Sequence, residues 1–341
     1  MSWQRVRGHE AQRQAFERVI QRGRLAHAYL FTGPPGIGKR LFADEFAKAL
    51  LCESRPAERF EACDHCAACV QVAAGTHPDH FLASRPEESL ELPISVMREF
   101  CHQLALKPAR GRDKVAILDD ADDLNEEAAN CFLKTLEEPP PRSVLLLIST
   151  SADRQLPTIV SRCQVVHFQP LPAQIVRELV VGQGIEDETL LRRIVPLSGG
   201  SPGQALALAD PALWEFRRRL LEGLVQPRCD TVTLARSWIE FVEDAGKESA
   251  AQRRRATLVL RFLIQFLSAA LNRSVGGMPG LVEPEDLHMV EQLAQRADTE
   301  QILRMLERCL ESDLQIERRV QLVLVLEGLL DALGQIIGRR S

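Results

Sequence analysis

The chain has 341 residues, of which 45% are hydrophobic and 26% are charged, and its net charge is -5. These values are typical of a globular protein of roughly two or three domains, and they argue against a chain that grips nucleic acid alone through a large basic face. The opening "MSWQRVRGHE" has no apolar core, and the apolar late stretch carries Glu327 and Asp331, so we expect neither a signal peptide nor a membrane span. Nine cysteines, an odd number, do not suggest a disulfide framework, and the expected compartment is the cytoplasm.

Short apolar runs alternate with helical patterns up to about residue 170. "AHAYLFTG" predicts a buried strand that leads into a glycine-rich turn, and "RLFADEFAKALL" predicts the helix that follows. Four further strands are predicted at "HFLA", "KVAILDD", "SVLLLIST" and "QVVHF". This alternation indicates right-handed crossovers and a mostly parallel sheet, which is an α/β domain.

One helix between the third and fourth predicted strands has clear boundaries in the sequence "NEEAANCFLKTLEEPPP". Asn125 is the expected N-cap, and Glu126 and Glu127 suit the positive end of the helix dipole. The prolines at 139–141 should end the helix.

The strand signals stop near residue 171. "PAQIVRELVV", "ETLLRRIVPLSGG" and "PGQALALAD" predict short helices, and the remainder of the chain is helical in pattern. We therefore predict three domains: an α/β domain over residues 1–170, a small helical domain over 171–210, and a helical C-terminal domain over 211–341.

The stretch "GPPGIGKR", from Gly33 to Arg40, matches the phosphate-binding loop G-x-x-x-x-G-K-[ST] up to its last position. In such a loop, a phosphate is bound by the backbone N–H groups of Gly36, Ile37, Gly38 and Lys39. The ammonium group of Lys39 also reaches the phosphate. Arg40 replaces the hydroxyl that would ligate Mg²⁺. The alternative is a turn that needs glycines for geometry only; nucleotide binding stays open, and hydrolysis is disfavoured.

The strand "VAILDD" supplies the second half of a candidate nucleotide site. Asp119 lies where a carboxylate would hold Mg²⁺, and Asp120 lies where an ATPase of this class has a catalytic Glu. An aspartate carboxylate stops about 1.5 Å short of a glutamate carboxylate, and an offset of about 1 Å can lower a rate about 10²-fold. The alternative is a pair of solvated acids at a strand end.

Four cysteines form the pattern C-x10-C-x2-C-x2-C within an insertion at residues 52–69. Cys52, Cys63, Cys66 and Cys69 fit a closed, structural Zn²⁺ site with four thiolate ligands. An iron–sulfur run would continue with x3-C-P, but position 73 is Ala. Four unligated cysteines are the other alternative, and His65 inside the knuckle is expected to face solvent.

The order of motifs resembles that of bacterial clamp-loader subunits of the AAA+ class. The matching stretches are "HAYLFTGPPGIGK", the four-cysteine insertion, "HPD", "ANCFLKTLEEPP", "LPTIVSRCQ" and "SGGSPGQAL", and they cover at least residues 5–210. The resemblance implies an AAA+ P-loop domain with a parallel sheet and an inserted zinc knuckle, a small helical lid, and a C-terminal helical collar domain used for oligomerisation.

Within this family the chain resembles the delta-prime group of DNA polymerase III rather than the gamma/tau ATPases. It lacks the P-loop hydroxyl and the catalytic Glu, its length is modest, and "HFLASRPEESLELPISVMREF" replaces the "DAAS" element of gamma. The resemblance implies a subunit without ATPase activity of its own, although it belongs to the complex of a DNA-directed DNA polymerase. That subunit would help to assemble a pentameric ring and to load a sliding clamp onto primed DNA. The alternative is an active gamma/tau-like ATPase.

The implied partners are the gamma/tau and delta subunits, with the sliding clamp and primer–template DNA reached through the complex; no membrane is implied. By composition alone, Arg162 of "SRC" is a surface Arg in a turn, but in the family this Arg enters the ATP site of a neighbouring subunit. Thr150 matches the sensor 1 region, although a hydroxyl at a strand end is often a cap. Gln204 falls near the sensor 2 position, where active relatives have Arg.

Overall fold

The computed structural model describes residues 3–55, 59–86, 89–110, 113–246, 249–278 and 283–338. The chain forms two compact units, residues 1–209 and residues 210–341. Within the described ranges, no helix combines the length and the hydropathy needed to cross a membrane.

The first unit is built on a parallel sheet of five strands in the order β2-β3-β4-β1-β5. The strands are β1 (Ala28–Thr32), β2 (His80–Ala83), β3 (Lys114–Leu118), β4 (Ser143–Ile148) and β5 (Gln164–His167). All five predicted strands are confirmed. The three inner strands β1, β3 and β4 are buried along their whole length because helices cover both faces of the sheet.

Nine helices belong to the first unit among its described residues. They are α1 (Glu10–Gln21), α2 (Lys39–Leu51), α3 (Ala67–Ala73), α4 (Ile94–Ala105), α5 (Glu126–Glu137), α6 (Pro157–Val160), α7 (Ala173–Val181), α8 (Glu188–Leu197) and α9 (Pro202–Ala207). One core cluster packs α1 and α2 on one face of the sheet through Phe16, Phe42 and Phe46. The cluster on the other face packs α4 and α5 through Phe100 and Phe132.

Helix α5 begins where the sequence predicted. The Asn125 side chain accepts a hydrogen bond from the backbone N–H of Ala128 at 2.9 Å, which satisfies one of the free donors of the first turn. Phe132 and Leu136 are buried, and Glu137 is the last helical residue before the prolines. The helix thus ends close to the amino end of β4.

The second unit is helical throughout its described part, apart from connecting turns. Its helices are α10 (Pro211–Val225), α11 (Thr231–Glu243), α12 (Ser249–Ser274), α13 (Leu287–Arg296), α14 (Thr299–Glu317) and α15 (Leu322–Gly338). Helix α12 packs against α10, α11, α13 and α14. Arg217 of α10 forms a buried ion pair with Asp286 at the start of α13. The sequence prediction of an α/β domain with a parallel sheet and an inserted four-cysteine knuckle, followed by helices, is confirmed. The boundary between a lid and the α/β domain near residue 171 stays a prediction.

Candidate functional site

The parallel sheet brings three predicted site elements to its carboxyl edge. The P-loop follows β1, Asp119 follows β3, and Thr150 lies two residues beyond β4. The backbone N–H of Gly33 donates to the carbonyl of Thr150 at 3.1 Å, which joins the start of the loop to the end of β4. The carboxyl edge of a parallel sheet is where ligands of such folds bind.

The conformation of the P-loop depends on its glycines. Gly33, Gly36 and Gly38 have φ angles of 147°, 75° and 101°, which side chains with a Cβ rarely adopt. At Gly36 a Cβ would also lie 2.7 Å from the hydroxyl oxygen of Ser201. Local geometry therefore explains these glycines without any bound phosphate.

Lys39 is folded back onto the loop that precedes it. Its side chain lies at the first residue of α2 and the residue is only 5% exposed. The ammonium group donates to the carbonyls of Gly33 at 2.6 Å and Pro34 at 2.8 Å. Burial lowers the pKa of Lys39 to about 8, and the negative charges of Asp122 and Asp119 oppose that shift.

Arg40 binds the carboxylates that the sequence assigned to a metal site. Its Nε donates to both carboxylate oxygens of Asp44 at 3.1 Å, and its Nη1 donates to Asp119 Oδ2 at 3.2 Å. The guanidinium thus brings a positive charge to the acid that would hold Mg²⁺. An internal cation pairs with Asp119 in this structure.

The second acid of the predicted pair sits in a constrained turn. Asp120 has a φ angle of 54°, and its pKa is raised by burial first and then by Asp119. A raised pKa is compatible with a general base. The departure of this position from an ATPase, which rests on the shorter side chain of Asp, stays a prediction.

Sequence reasoning missed Asp122, which organises the end of β4. Its Oδ2 accepts hydrogen bonds from the backbone N–H of Thr150 at 2.8 Å and from the Thr150 hydroxyl at 2.6 Å. Its Oδ1 accepts from the hydroxyl of Ser149 at 2.5 Å and from the Gln155 amide at 2.9 Å. The Thr150 hydroxyl, predicted as a sensor, is therefore bonded within the chain, and the only sequence signal for Asp122 was its place in an acidic run.

The region that carries Gln204 lies directly on the P-loop. The Ser201 hydroxyl donates to the carbonyl of Pro35 at 2.8 Å, and the backbone N–H of Gly203 donates to the carbonyl of Gly36 at 3.0 Å. A Cβ on Gly203 would lie 2.9 Å from the Cα of Gly36. The backbone N–H of Gln204 donates to the Ser201 hydroxyl at 3.1 Å, so Gln204 lies in the first turn of α9 beside the loop.

The four predicted cysteines come together in a single cluster. Cys52 follows the last residue of α2, and Cys66 is the N-cap of α3, which contains Cys69. The sulfur atoms of the cluster Cys52, Cys63, Cys66 and Cys69 all lie within 4.8 Å of one another, and two of the pairs are 3.9 Å apart. Four sulfurs at the usual Zn–S bond length would be about 3.8 Å apart in a tetrahedron. The cluster could therefore hold a metal ion.

Backbone donors and a salt bridge support this knuckle. The N–H of Cys63 donates to Cys52 Sγ at 3.4 Å, and the N–H of Cys66 donates to Cys63 Sγ at 3.3 Å, which favours the thiolate forms that bind metals. Lys48 of α2 bonds Asp64 inside the knuckle at 2.7 Å. His65 is exposed and lies outside the ligand cluster, with its Nδ1 2.6 Å from the carbonyl of Cys63.

Arg162 lies at the opposite edge of the sheet from the P-loop. It comes two residues before β5, whose first residue Gln164 pairs with Tyr29 of β1, whereas the P-loop follows the other end of β1. A strand of four residues is about 13 Å long, so the guanidinium and the P-loop are well separated. Its hydrogen bonds in the described part of the chain go to Glu137, Thr158 and Ser161.

The burial of Lys39 predicts a specific dependence of stability on pH. Its folded pKa of about 8 lies below the ordinary value of 10.5, so between these values the unfolded chain binds more protons than the folded chain. Stability from this group therefore rises with pH across that window. Relative to a Lys39→Met variant, the wild-type chain should gain melting temperature as the pH rises above 8.

Thermal unfolding of both proteins at several pH values on either side of 8 measures this difference. The same substitution at the exposed Lys107 is the control and should give a difference that does not change with pH. A flat difference for Lys39→Met would show that the ammonium group is not desolvated in the folded chain.

Comparisons with known proteins identify the family. A family model described as DNA polymerase III, delta subunit, matches residues 8–172. The chain is 40% identical over 222 residues to DNA polymerase III subunit delta' of Pseudomonas aeruginosa, covering 64% of this chain and 67% of that protein. It is 32% identical over 274 residues to the delta' subunit of Escherichia coli, covering 78% of this chain and 79% of that protein. It is 31% identical over 213 residues to the tau subunit of Bacillus subtilis, covering 61% of this chain and 37% of that protein. The chain belongs to the delta-prime family of DNA polymerase III subunits.

Proposed function

We propose that this chain is a non-hydrolysing subunit of the DNA polymerase III clamp loader that presents Arg162 to the ATP site of a neighbouring ATPase subunit. In this role it helps to assemble the pentameric ring and to load the sliding clamp onto primed DNA. The observation that carries the proposal is the ion pair between Arg40 and Asp119, which places a protein cation on the carboxylate that would hold Mg²⁺.

Several departures from an ATPase site coincide at the carboxyl edge of the sheet. Arg40 removes a metal ligand and binds Asp119, and Asp120 has a shorter side chain than the catalytic Glu it would replace. Gln204 stands where an active relative has a cationic sensor. Phosphoryl transfer depends on positioned metal and cationic groups, so these losses together support an absence of hydrolysis. The same losses disfavour nucleotide binding at this site.

The geometry of Arg162 supports a role in trans. The residue is far from the P-loop of its own chain, and its side chain is 33% exposed. Arginine is suited to this role because its planar guanidinium can donate two parallel hydrogen bonds to phosphate oxygens. A guanidinium from outside an ATP site stabilises the charge that develops on the transferred phosphoryl group.

The proposed partners follow from this role. They are a gamma/tau subunit whose ATP site receives Arg162, the delta subunit, and, through the complex, the sliding clamp and primer–template DNA. Residues 171–210 serve as a lid that packs on the P-loop, and residues 211–341 serve as the collar domain that holds the hetero-oligomer together. An all-helical second unit supports the collar role.

A gamma/tau-like ATPase is the alternative function. The similarity to a tau subunit is compatible with it, but that relative is matched over only 37% of its length. The pairing of Arg40 with Asp119 opposes this alternative, because an active site would need that carboxylate for the metal.

We further propose that the cysteine cluster holds one structural Zn²⁺. The donor set of four thiolates is closed, since a tetrahedral ion would have no free coordination position for a substrate. The cluster begins directly after α2, so the ion would fix the insertion to the end of the helix that starts at the P-loop.

Substitution of Arg162 tests the proposed role in trans. In a complex reconstituted with gamma/tau and delta subunits, Arg162→Ala should lower ATP turnover at the adjacent site by at least about tenfold, because the transition state loses a cation. Complex assembly should not change and the melting temperature should fall only slightly, since the side chain is at the surface. DNA-stimulated phosphate release, with size-exclusion chromatography for assembly, gives both readouts.

Arg177→Ala is the matched control, because Arg177 is also an exposed arginine that pairs with a glutamate, Glu188. A complex that contains the Arg177→Ala chain should turn over ATP at the wild-type rate. Normal turnover and clamp loading by the Arg162→Ala complex would exclude the assignment of Arg162.

Metal content tests the zinc proposal. Mass spectrometry of the purified chain should find one zinc per molecule, and Cys66→Ser should lose most of it because three thiolates bind the ion less tightly. The variant should also melt at a lower temperature. Cys131→Ser, a cysteine outside the cluster, should keep its zinc; iron in the wild-type protein, or full zinc retention by Cys66→Ser, would contradict the proposal.

A further inference from the structure

We propose that Glu137 is a positioning residue for Arg162, and that it holds the guanidinium ready for a phosphate of the neighbouring subunit. This inference rests on the proposed function. Glu137 Oε1 accepts a hydrogen bond from Arg162 Nη2 at 2.6 Å, which joins the end of α5 to the end of α6. The two residues are 25 positions apart in sequence, so tertiary structure creates this pair.

The remaining hydrogen bonds of Arg162 fix the other side of its guanidinium. Nη1 donates to the carbonyl of Thr158 at 2.9 Å and to the hydroxyl of Ser161 at 3.3 Å. The Thr158 carbonyl is one of the free acceptors at the end of α6, so Arg162 also caps that helix. The group is held at both terminal nitrogens, and its orientation is restrained.

One edge of the guanidinium stays free for a ligand. Nε of Arg162 has no hydrogen-bond partner in the described part of the chain, and Nη2 has a second N–H besides the one given to Glu137. Nε and Nη2 together form the edge that donates two parallel bonds to a pair of phosphate oxygens. If Glu137 takes the Nη2 hydrogen that faces Nη1, its contact and that of Thr158 leave the Nε–Nη2 edge for a phosphate.

The position of Glu137 is unfavourable for α5 alone. It is the last residue of the helix and Glu138 is the C-cap, so two anions lie at the negative end of the helix dipole. Lys134 in the last turn suits that end of the dipole, so the unfavourable charges are those of Glu137 and Glu138. The guanidinium of Arg162 offsets this local cost at Glu137, and such conflicts with local rules are typical of functional positions.

Glu137 and Arg162 both lie at or near the ends of helices that pack into the core. Phe132 and Leu136 of α5 and Ile159 of α6 are buried in the same core cluster beneath the sheet. The distance between the two helix ends is therefore set by packing. The pair itself is exposed, with 51% of the Glu137 side chain and 33% of the Arg162 side chain accessible. An exposed ion pair is weak, so it can restrain Arg162 without withholding it from a stronger phosphate contact.

The neighbouring glutamates allow a matched experiment. Complexes are reconstituted with full-length chains that carry Glu137→Ala, Glu137→Gln or Glu138→Ala, and kcat and KM for ATP are measured with primed DNA. We expect Glu137→Ala to lower kcat by about three- to tenfold with KM unchanged, because orientation in the transition state is lost. The kcat of the Glu137→Gln complex should lie between those of the wild type and Glu137→Ala, since an amide oxygen still accepts from Nη2. The kcat of the Glu138→Ala complex should equal that of the wild type.

A double variant separates positioning from a general structural effect. In a chain that already carries Arg162→Ala, the further change Glu137→Ala should lower kcat no more, because Glu137 acts only through Arg162. An additional loss in that background would show that Glu137 acts independently and would overturn the inference. Melting temperatures and assembly should be equal among all variants.

The outcomes also distinguish this inference from the proposed function. A slow Arg162→Ala complex together with an unchanged or faster Glu137→Ala complex would overturn the positioning role and leave the function of Arg162 standing. A faster Glu137→Ala complex would mean that the ion pair with Glu137 keeps Arg162 away from the phosphate. Normal turnover by Arg162→Ala would overturn both the proposed function and this inference.

Discussion

Parallel pairing of β1 with β4 and β5 is the constraint on which the rest of the first unit depends. Because the strands run in one direction, the P-loop, Asp119 and Thr150 all meet at the carboxyl edge of the sheet. The same pairing places Arg162 near the amino edge, where α5 also ends. The P-loop and Arg162 therefore lie at opposite ends of the strands, and under the proposed function Arg162 serves a site on another subunit.

Charged side chains at the carboxyl edge find their hydrogen-bond partners within the chain. The ammonium of Lys39 binds loop carbonyls, Arg40 binds Asp44 and Asp119, and Asp122 binds Thr150. A self-satisfied site of this kind needs no ligand to be stable, which suits a fixed member of a ring.

Much of this architecture is local and could be predicted from sequence. The strands, the cap of α5 and the cysteine ligand set follow from periodicity, capping chemistry and spacing, which act over a few residues. The pairs Arg40–Asp119 and Arg162–Glu137 could not be predicted, because they join residues 79 and 25 positions apart through side-chain rotamers. The contact of Gly203 with Gly36 likewise depends on how α9 packs, for which no sequence pattern exists.

Under the proposed function this chain assists ATP hydrolysis without performing it. The decisive measurement is steady-state ATP hydrolysis by the purified chain alone, with Mg²⁺ present. We expect no turnover above that of a Lys39→Ala variant, because Arg40 holds the carboxylate of Asp119 that a metal would need. Turnover by the wild-type chain that Lys39→Ala abolishes would exclude a non-hydrolysing subunit and favour a gamma/tau-like ATPase.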